Sequence, residues 1–304
     1  MGIFSPGAES IRQKCEGIRL PSLSVSDFER LSEFVNASTG IKITEGKKTL
    51  FESRLQKRLR RLGLKDFREY CDFLFSGEGI ETELHHLIDA VTTHKTDFFR
   101  EADHFDFLSG VALPELLKTG KSSLTAWSAA CSTGEEPYTI AMVAAEFRAA
   151  QAAQTSQVSQ VSQTFNFSVL ATDISNGVLK TAREAVYTEE QIVPVSAHLR
   201  RKYLLKSRDR ARKLVRIAPE LRAMVFFKPL NLIDGDFGEI GQADIIFCRN
   251  VLIYFDREAQ GKLLRRICGK LAPGGYLFMG HSEAIHGFGL PLAKAGPSVY
   301  RRSP

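Results

Sequence analysis

Residues 123–138 read Ser-Leu-Thr-Ala-Trp-Ser-Ala-Ala-Cys-Ser-Thr-Gly-Glu-Glu-Pro-Tyr. The first seven suit a strand, Gly134 suits a turn, and a helix is expected over 136–148. A strand that turns straight into a helix opens a parallel β–α–β unit. A dinucleotide site at such a turn needs G-x-G-x-x-G, so that backbone can approach a pyrophosphate. Gly134 is the single glycine of this turn, and Glu136 beside it repels phosphate while suiting an ammonium group.

The alternation continues downstream. Strands are expected at 167–172, 224–228, 244–248 and, after the Pro273-Gly274-Gly275 turn, 276–279; helices are expected at 175–185 and 257–271. The pattern is α/β, a doubly wound parallel sheet with helices on both faces, whose ligands sit beyond the carboxyl ends of the strands. Asp173 ends the second strand, where an acid accepts hydrogen bonds from ribose hydroxyls. Ribose and ammonium without phosphate describe S-adenosylmethionine better than NAD; the bland alternative is that these acids cap helices.

Two stretches interrupt the alternation. Residues 149–164 (AAQAAQTSQVSQVSQT) are low in complexity and read as a surface loop. Residues 187–223 form an insertion in which 213–217 (KLVRI) suits a short strand of a small accessory sheet.

Upstream of the sheet the periodicity is helical. Residues 1–20 read as a loose arm, and residues 21–95 as a small all-α domain. Ser26 or Asp27 can cap a first helix that Gly40 ends. In a helix over 47–62, Phe51, Leu55, Leu59 and Leu62 fall within about 80° of arc at about 100° per residue. Arg54, Lys57, Arg58, Arg60 and Arg61 are assigned to the opposite face, with further helices over 66–75 and 81–91.

A length of 304 residues accommodates these two domains, and 43% hydrophobic with 25% charged residues excludes disorder as the main state. No apolar run approaches the ~20 residues of a membrane span, and the start lacks a signal-peptide pattern. Five cysteines without a CxxC pair suggest a reduced, cytoplasmic protein with no metal site. The net charge of +6 divides unevenly. Residues 42–68 carry ten Lys/Arg against three acids, and 198–228 carry eleven against two. Two basic islands on an acidic body imply acidic partners.

The motifs together resemble the CheR family of bacterial chemotaxis receptor methyltransferases. The resemblance rests on Thr96-Asp-Phe-Phe-Arg100, residues 127–138 and Ala171-Thr-Asp173, and continues through Leu230-Asn-Leu232, residues 246–256 (IFCRNVLIYFD) and Gly280-His-Ser-Glu283. It spans roughly residues 22–304. It implies a Rossmann-like, S-adenosylmethionine-dependent methyltransferase domain over 96–304, with the β-containing insertion inside it. Methyl transfer to glutamate side chains of chemoreceptors would leave S-adenosylhomocysteine. The resemblance also implies that His94, Thr96, Arg100, Glu136, Asp173, Asn231, Leu232, Arg249 and Asn250 line the cofactor pocket. His94 is a departure, since the family carries Asn there.

Arg100 and Tyr254 are the candidates for positioning the reacting groups, because a guanidinium orients a carboxylate and a phenol can hydrogen-bond near the transferred methyl. The helix bearing Arg54, Lys57, Arg58, Arg60 and Arg61 is implied to recognise acidic methylation helices of receptors, at receptor arrays on the membrane. Residues 206–213 of the insertion hold no glycine, where some family members carry a glycine-bearing loop that docks a short receptor C-terminal peptide. Such docking is therefore not expected. Cys131 and Cys248 read as packed apolar groups, and His281 and Glu283 either reach the cofactor mouth or hold a loop. Two other readings are a non-catalytic, cofactor-binding scaffold and, less favoured, a nucleic-acid methyltransferase drawn to phosphate by the basic islands.

Overall fold

The structure is a computed structural model that describes residues 22–156 and 165–303. The arm expected over 1–20 and the last eight residues of the low-complexity stretch lie outside them. The chain divides into two compact units, one of Met1–Phe34 with Ile43–Val91 and one of Val35–Lys42 with Thr92–Pro304.

Among the described residues the first unit is helical: the start of Val25–Thr39, then Lys48–Leu62, Phe67–Leu74 and Gly77–Val91. Ser24, rather than Ser26 or Asp27, caps the first helix, its Oγ accepting from the Asp27 amide at 3.0 Å. Asp66 caps the third through the Glu69 amide, and Gly63, in the left-handed region at φ 72°, ends the second. Phe51, Leu55 and Leu59 are buried with Phe28, Leu31, Tyr70, Leu74 and Leu87.

That core corrects the expected basic face. Arg58 is only 14% exposed and forms a fork on Glu83, donating from Nε at 2.8 Å and from a terminal nitrogen at 2.6 Å. The Tyr70 hydroxyl donates to the same carboxylate at 3.1 Å, and burial together with the Glu83 charge pushes that phenol well up. Arg54 is half-buried and donates to the Ala90 carbonyl at 3.0 Å. On a wheel of about 100° per residue Arg58 falls only about 20° from Phe51, beside the apolar arc and not opposite it. Lys57, Arg60 and Arg61 are the exposed members of the set.

The second unit holds a seven-stranded sheet. Its strands are β1 (Ser123–Ala129), β2 (Asn166–Asp173), β6 (Val225–Pro229), β7 (Ala243–Cys248), β8 (Leu271–Met279), β9 (Leu292–Gly296) and β10 (Val299–Arg302). The order across the sheet is β6-β2-β1-β7-β8-β10-β9. The first five are parallel, while β10 runs antiparallel to both β8 and β9. The expected sheet was wholly parallel; the terminal hairpin is an addition, turning at 296–298 through Gly-Pro-Ser. The all-buried pattern of β7 marks it as a central strand packed on both faces.

A helical stretch not anticipated from sequence runs from Asp103 to Leu117, with a π-turn at Leu108–Ala112 ahead of Pro114. The helix after β1 runs Glu135–Ser156, eight residues beyond Arg148, because its Ala and Gln are good helix formers. The first half of the low-complexity stretch is therefore helix and not loop. The insertion carries a separate antiparallel sheet of β3 (Val186–Thr188), β5 (Leu214–Ile217) and β4 (Leu204–Lys206), in that order. Lys213 closes the loop before β5 in the left-handed region, φ 47°.

Candidate active site

The backbone bends sharply where the parallel strands end. Ala130 (φ 62°) and Ser132 (φ 50°) follow β1, Asn250 (φ 57°) follows β7, and Phe99 (φ 54°) and Glu101 (φ 57°) flank Arg100. Such conformations cost a side-chain-bearing residue roughly 1–3 kcal/mol each and persist where the surroundings over-determine them. Ala130, Ser132, Asn250 and Arg100 all line one cavity of about 280 Å³.

Every residue that the sequence assigned to cofactor binding or catalysis lines this cavity: His94, Thr96, Arg100, Glu136, Asp173, Asn231, Leu232, Arg249, Asn250 and Tyr254. Ile41, Ser132, Ile174, Leu230 and Ile253, which sequence reasoning passed over, join them. Ile174 and Leu230 had a visible signal, since each adjoins a named polar residue at a strand end.

The side chains are held in different ways. Asp173, 7% exposed, accepts from the Ser132 amide at 2.9 Å and the Ser175 amide at 3.0 Å, one on each oxygen. The carboxylate thus lines the cavity at the tip of β2, the position where an acid can meet ribose hydroxyls. Asn231 spends its amide on the scaffold, donating to the Ser38 carbonyl at 2.9 Å and accepting from the Ile233 amide at 2.9 Å. His94 Nε2 lies 2.9 Å from Thr92 Oγ1, and its carbonyl accepts from Ser132 Oγ at 2.9 Å. Arg100 donates to the Lys95 carbonyl at 3.0 Å.

Glu136 differs from expectation. Its carboxylate accepts from Ser128 Oγ at 2.7 Å and from Arg249 Nε at 2.7 Å, so an internal cation stands where an ammonium ligand was expected. Arg249, its side chain 2% exposed, also donates to the Arg100 carbonyl at 2.7 Å and lies 3.4 Å from Glu101 Oε2 and 3.1 Å from His104 Nδ1. The guanidinium thus fixes the backbone of Arg100 from behind. Burial, with Arg249 adding to it, pushes the His104 imidazole down to about 4. His104 is therefore neutral at pH 7, accepting at Nδ1, and its buried Nε2 has no partner among the described residues.

Ligand atoms of Glu101, His104 and His281 lie within 4.8 Å of one another, close enough for a metal ion. The Arg249 guanidinium beside two of the three makes this donor set a poor fit for a second cation. Cys131 and Cys248 are buried, and burial pushes both thiols well up, consistent with packing and not reactivity.

The donor set fits an adenosyl cofactor without phosphate: an acid at the tip of β2, apolar Ile174, Leu230 and Leu232 for a flat ring, and Arg100 for a carboxylate. Fold and pocket thus define an S-adenosylmethionine-dependent methyltransferase. Family models match in two consecutive pieces, "CheR methyltransferase, all-alpha domain" over residues 26–92 and "CheR methyltransferase, SAM binding domain" over 94–295. A chemotaxis protein methyltransferase of Borreliella burgdorferi is 40% identical over 93% of this chain and 96% of its own. Chemotaxis protein methyltransferase 2 of Pseudomonas aeruginosa is 38% identical over 90% and 92%, and that of Escherichia coli 36% over 93% and 92%. The chain belongs to the CheR methyltransferase family.

Proposed function

We propose that this methyltransferase esterifies glutamate side chains of chemoreceptors, working at receptor arrays on the cytoplasmic face of the membrane. The observation that carries the reading is the convergence of Arg100, Asp173, Asn250 and Tyr254 on one cavity in a chain of this family. No described helix is long and apolar enough to cross a membrane, so membrane-bound substrates would be met by docking.

A glutamate carboxylate, with an ordinary pKa of about 4.3, is ionised at neutral pH and needs no general base. When bound, the cofactor supplies an electrophilic sulfonium methyl, whose carbon bonds to the carboxylate oxygen as sulfur recovers the bond pair. The protein's task is alignment and exclusion of water. Asp173, at the tip of β2, accepts ribose hydroxyls. Arg100, its carbonyl pinned by Arg249, presents its free N–H groups to the cofactor's carboxylate. A strong clamp on the substrate anion would stabilise the ground state as charge is being lost, so that role suits Arg100 less. Tyr254, half-buried beside the exposed Ile253, donates its hydroxyl near the transferred group.

Lys57, Arg60 and Arg61 form the recognition face for acidic methylation helices, with Arg54 and Arg58 supporting it from inside. The insertion does not dock a receptor C-terminal peptide, since its 206–213 loop lacks the glycine-bearing form. The test is mass spectrometry of receptor-containing membranes incubated with the protein and S-adenosylmethionine. A gain of one methyl on a receptor glutamate, lost in Asp173→Ala, is expected. Unmodified receptor in the presence of protein that binds S-adenosylhomocysteine would refute the substrate.

A further inference from the structure

After a register shift between Ala243 and Ile245, β7 and β8 pair evenly as far as Cys248 and Met279, then part. The chain leaves β7 through left-handed Asn250 and the tight turn Leu252–Tyr254, and leaves β8 through Gly280. Between the diverging ends lies Glu283, 6% exposed. Its Oε2 accepts from the Asn250 amide at 2.7 Å and the Gly280 amide at 2.8 Å, and its Oε1 accepts from the Leu252 amide at 2.7 Å. A side chain at Gly280 would start 2.7 Å from Glu283 Oε2 and 2.6 Å from Asn250 Nδ2, so glycine keeps this approach open. The carbonyls of the same loop are held from elsewhere: Gln260 Nε2 donates to Leu252 at 3.0 Å and Phe255 at 3.1 Å, and the Lys42 amide donates to Tyr254 at 3.1 Å.

We infer that Glu283 is a positioning residue for methyl transfer, fixing Asn250 and Tyr254 in the cavity through the three backbone amides that converge on its carboxylate. An interior anion is costly, and a neutral side chain would serve to close a short turn. A carboxylate is what can hold amides from two separate strand ends at once, on both of its oxygens. Burial pushes the Glu283 carboxyl up, while the amides pull it back toward the charged form. The left-handed Asn250 gives the loop a conformation it would leave if released.

The inference rests on the proposed transfer reaction, and its test has one arm that does not. In Glu283→Gln one acceptor oxygen becomes a donor facing amide hydrogens. Hydrogen exchange, followed on the full-length protein, should rise at least about tenfold across 250–255 and stay at parental values in β1 and β2. kcat for receptor methylation should fall about 10- to 100-fold, because a misplacement near 1 Å is that damaging. The Kd for S-adenosylhomocysteine, by calorimetry, should rise by clearly less than the rate falls, since Asp173 and Arg100 keep their own anchors. In a Tyr254→Phe background the same substitution should cost less than about threefold, since both act on one contact.

Unchanged exchange at 250–255 overturns the inference. So does a loss of inhibitor affinity as large as the loss of rate, or a rate loss that multiplies in full with that of Tyr254→Phe. Should the parent protein methylate no receptor glutamate, the substrate proposal alone fails, and exchange with calorimetry still decides what Glu283 holds.

Discussion

Removing the Glu136 carboxylate tests how the cavity is assembled. Arg249 Nε donates to Glu136 at 2.7 Å, with the arginine side chain 2% and the glutamate side chain 10% exposed. In Glu136→Ala the guanidinium keeps the Arg100 carbonyl and a longer contact to Glu101, yet loses its one close carboxylate. Leaving one partner of a buried pair uncompensated costs about 3–5 kcal/mol. For a unit of this size, each kcal/mol moves the melting temperature by about 2–4 °C, so a drop of roughly 10 °C is expected. The assay is calorimetric melting of parent, Glu136→Ala, Glu136→Met, Arg249→Met and the double variant Glu136→Met/Arg249→Met. The double should be more stable than the sum of its singles by at least about 1.5 kcal/mol, because it removes both charges and keeps apolar volume. S-adenosylhomocysteine affinity is measured on the same five proteins. A Glu136→Ala variant that melts within about 2 °C of parent but loses inhibitor affinity a hundredfold would refute the pairing argument. That result would make the carboxylate a ligand group and not the anchor of Arg249.

Glu83→Ala in the helical unit should cost about 3 kcal/mol by denaturant unfolding, since it strands Arg58 and the Tyr70 hydroxyl together. Lys57→Ala and Arg60→Ala should leave stability within about 0.5 kcal/mol of parent, but slow receptor methylation at low salt more than at high salt. His104 is packed against Arg249, Glu101, Asp103 and His281, and its folded-state value of about 4 lies below the ordinary 6.5. The unfolded chain therefore takes up this proton first, and about 3 kcal/mol present at pH 7 is lost as pH falls from 6.5 toward 4. His104→Phe should flatten that part of the stability–pH curve, and an unchanged slope in the variant would sink the assignment.

The parts of the fold that could be read from the chain are those written in local order. The strand into Gly134, the acid at the end of β2 and the strand before Arg249-Asn250 each announce themselves within a dozen residues. Arg58 departs from the expected outward face although the sequence carries its signal: its position on the helical wheel lies beside Phe51, and its long stem takes the charge to Glu83 inside the helical unit. No element is expected over the Asp103–Leu117 stretch, where Gly110 and Pro114 are poor helix formers, although Phe105, Leu108, Ala112, Leu113 and Leu116 repeat at helical spacing and are buried. The β9–β10 hairpin was missed because β9 is largely exposed along its length, so its hydropathy gives no alternation to find. Glu136 and Arg249 are 113 residues apart in sequence, and no period within the chain can pair them.

The same distinction separates the residues that meet a ligand from those that place them. Asp173 sits at a strand tip, a position that topology alone makes available for binding. Glu136, Arg249 and Glu283 line or border the same cavity but have their hydrogen-bonding capacity directed at the protein. With those charges matched internally, the cavity's dipoles are fixed before any ligand arrives and, in the proposed reaction, need not reorganise as a carboxylate and a sulfonium lose their charges together. A reaction without a proton to move asks only for that rigidity. Substitutions at these internal pairs should therefore act on the transfer rate through geometry, and replacing either partner should matter more than the sign of the charge removed.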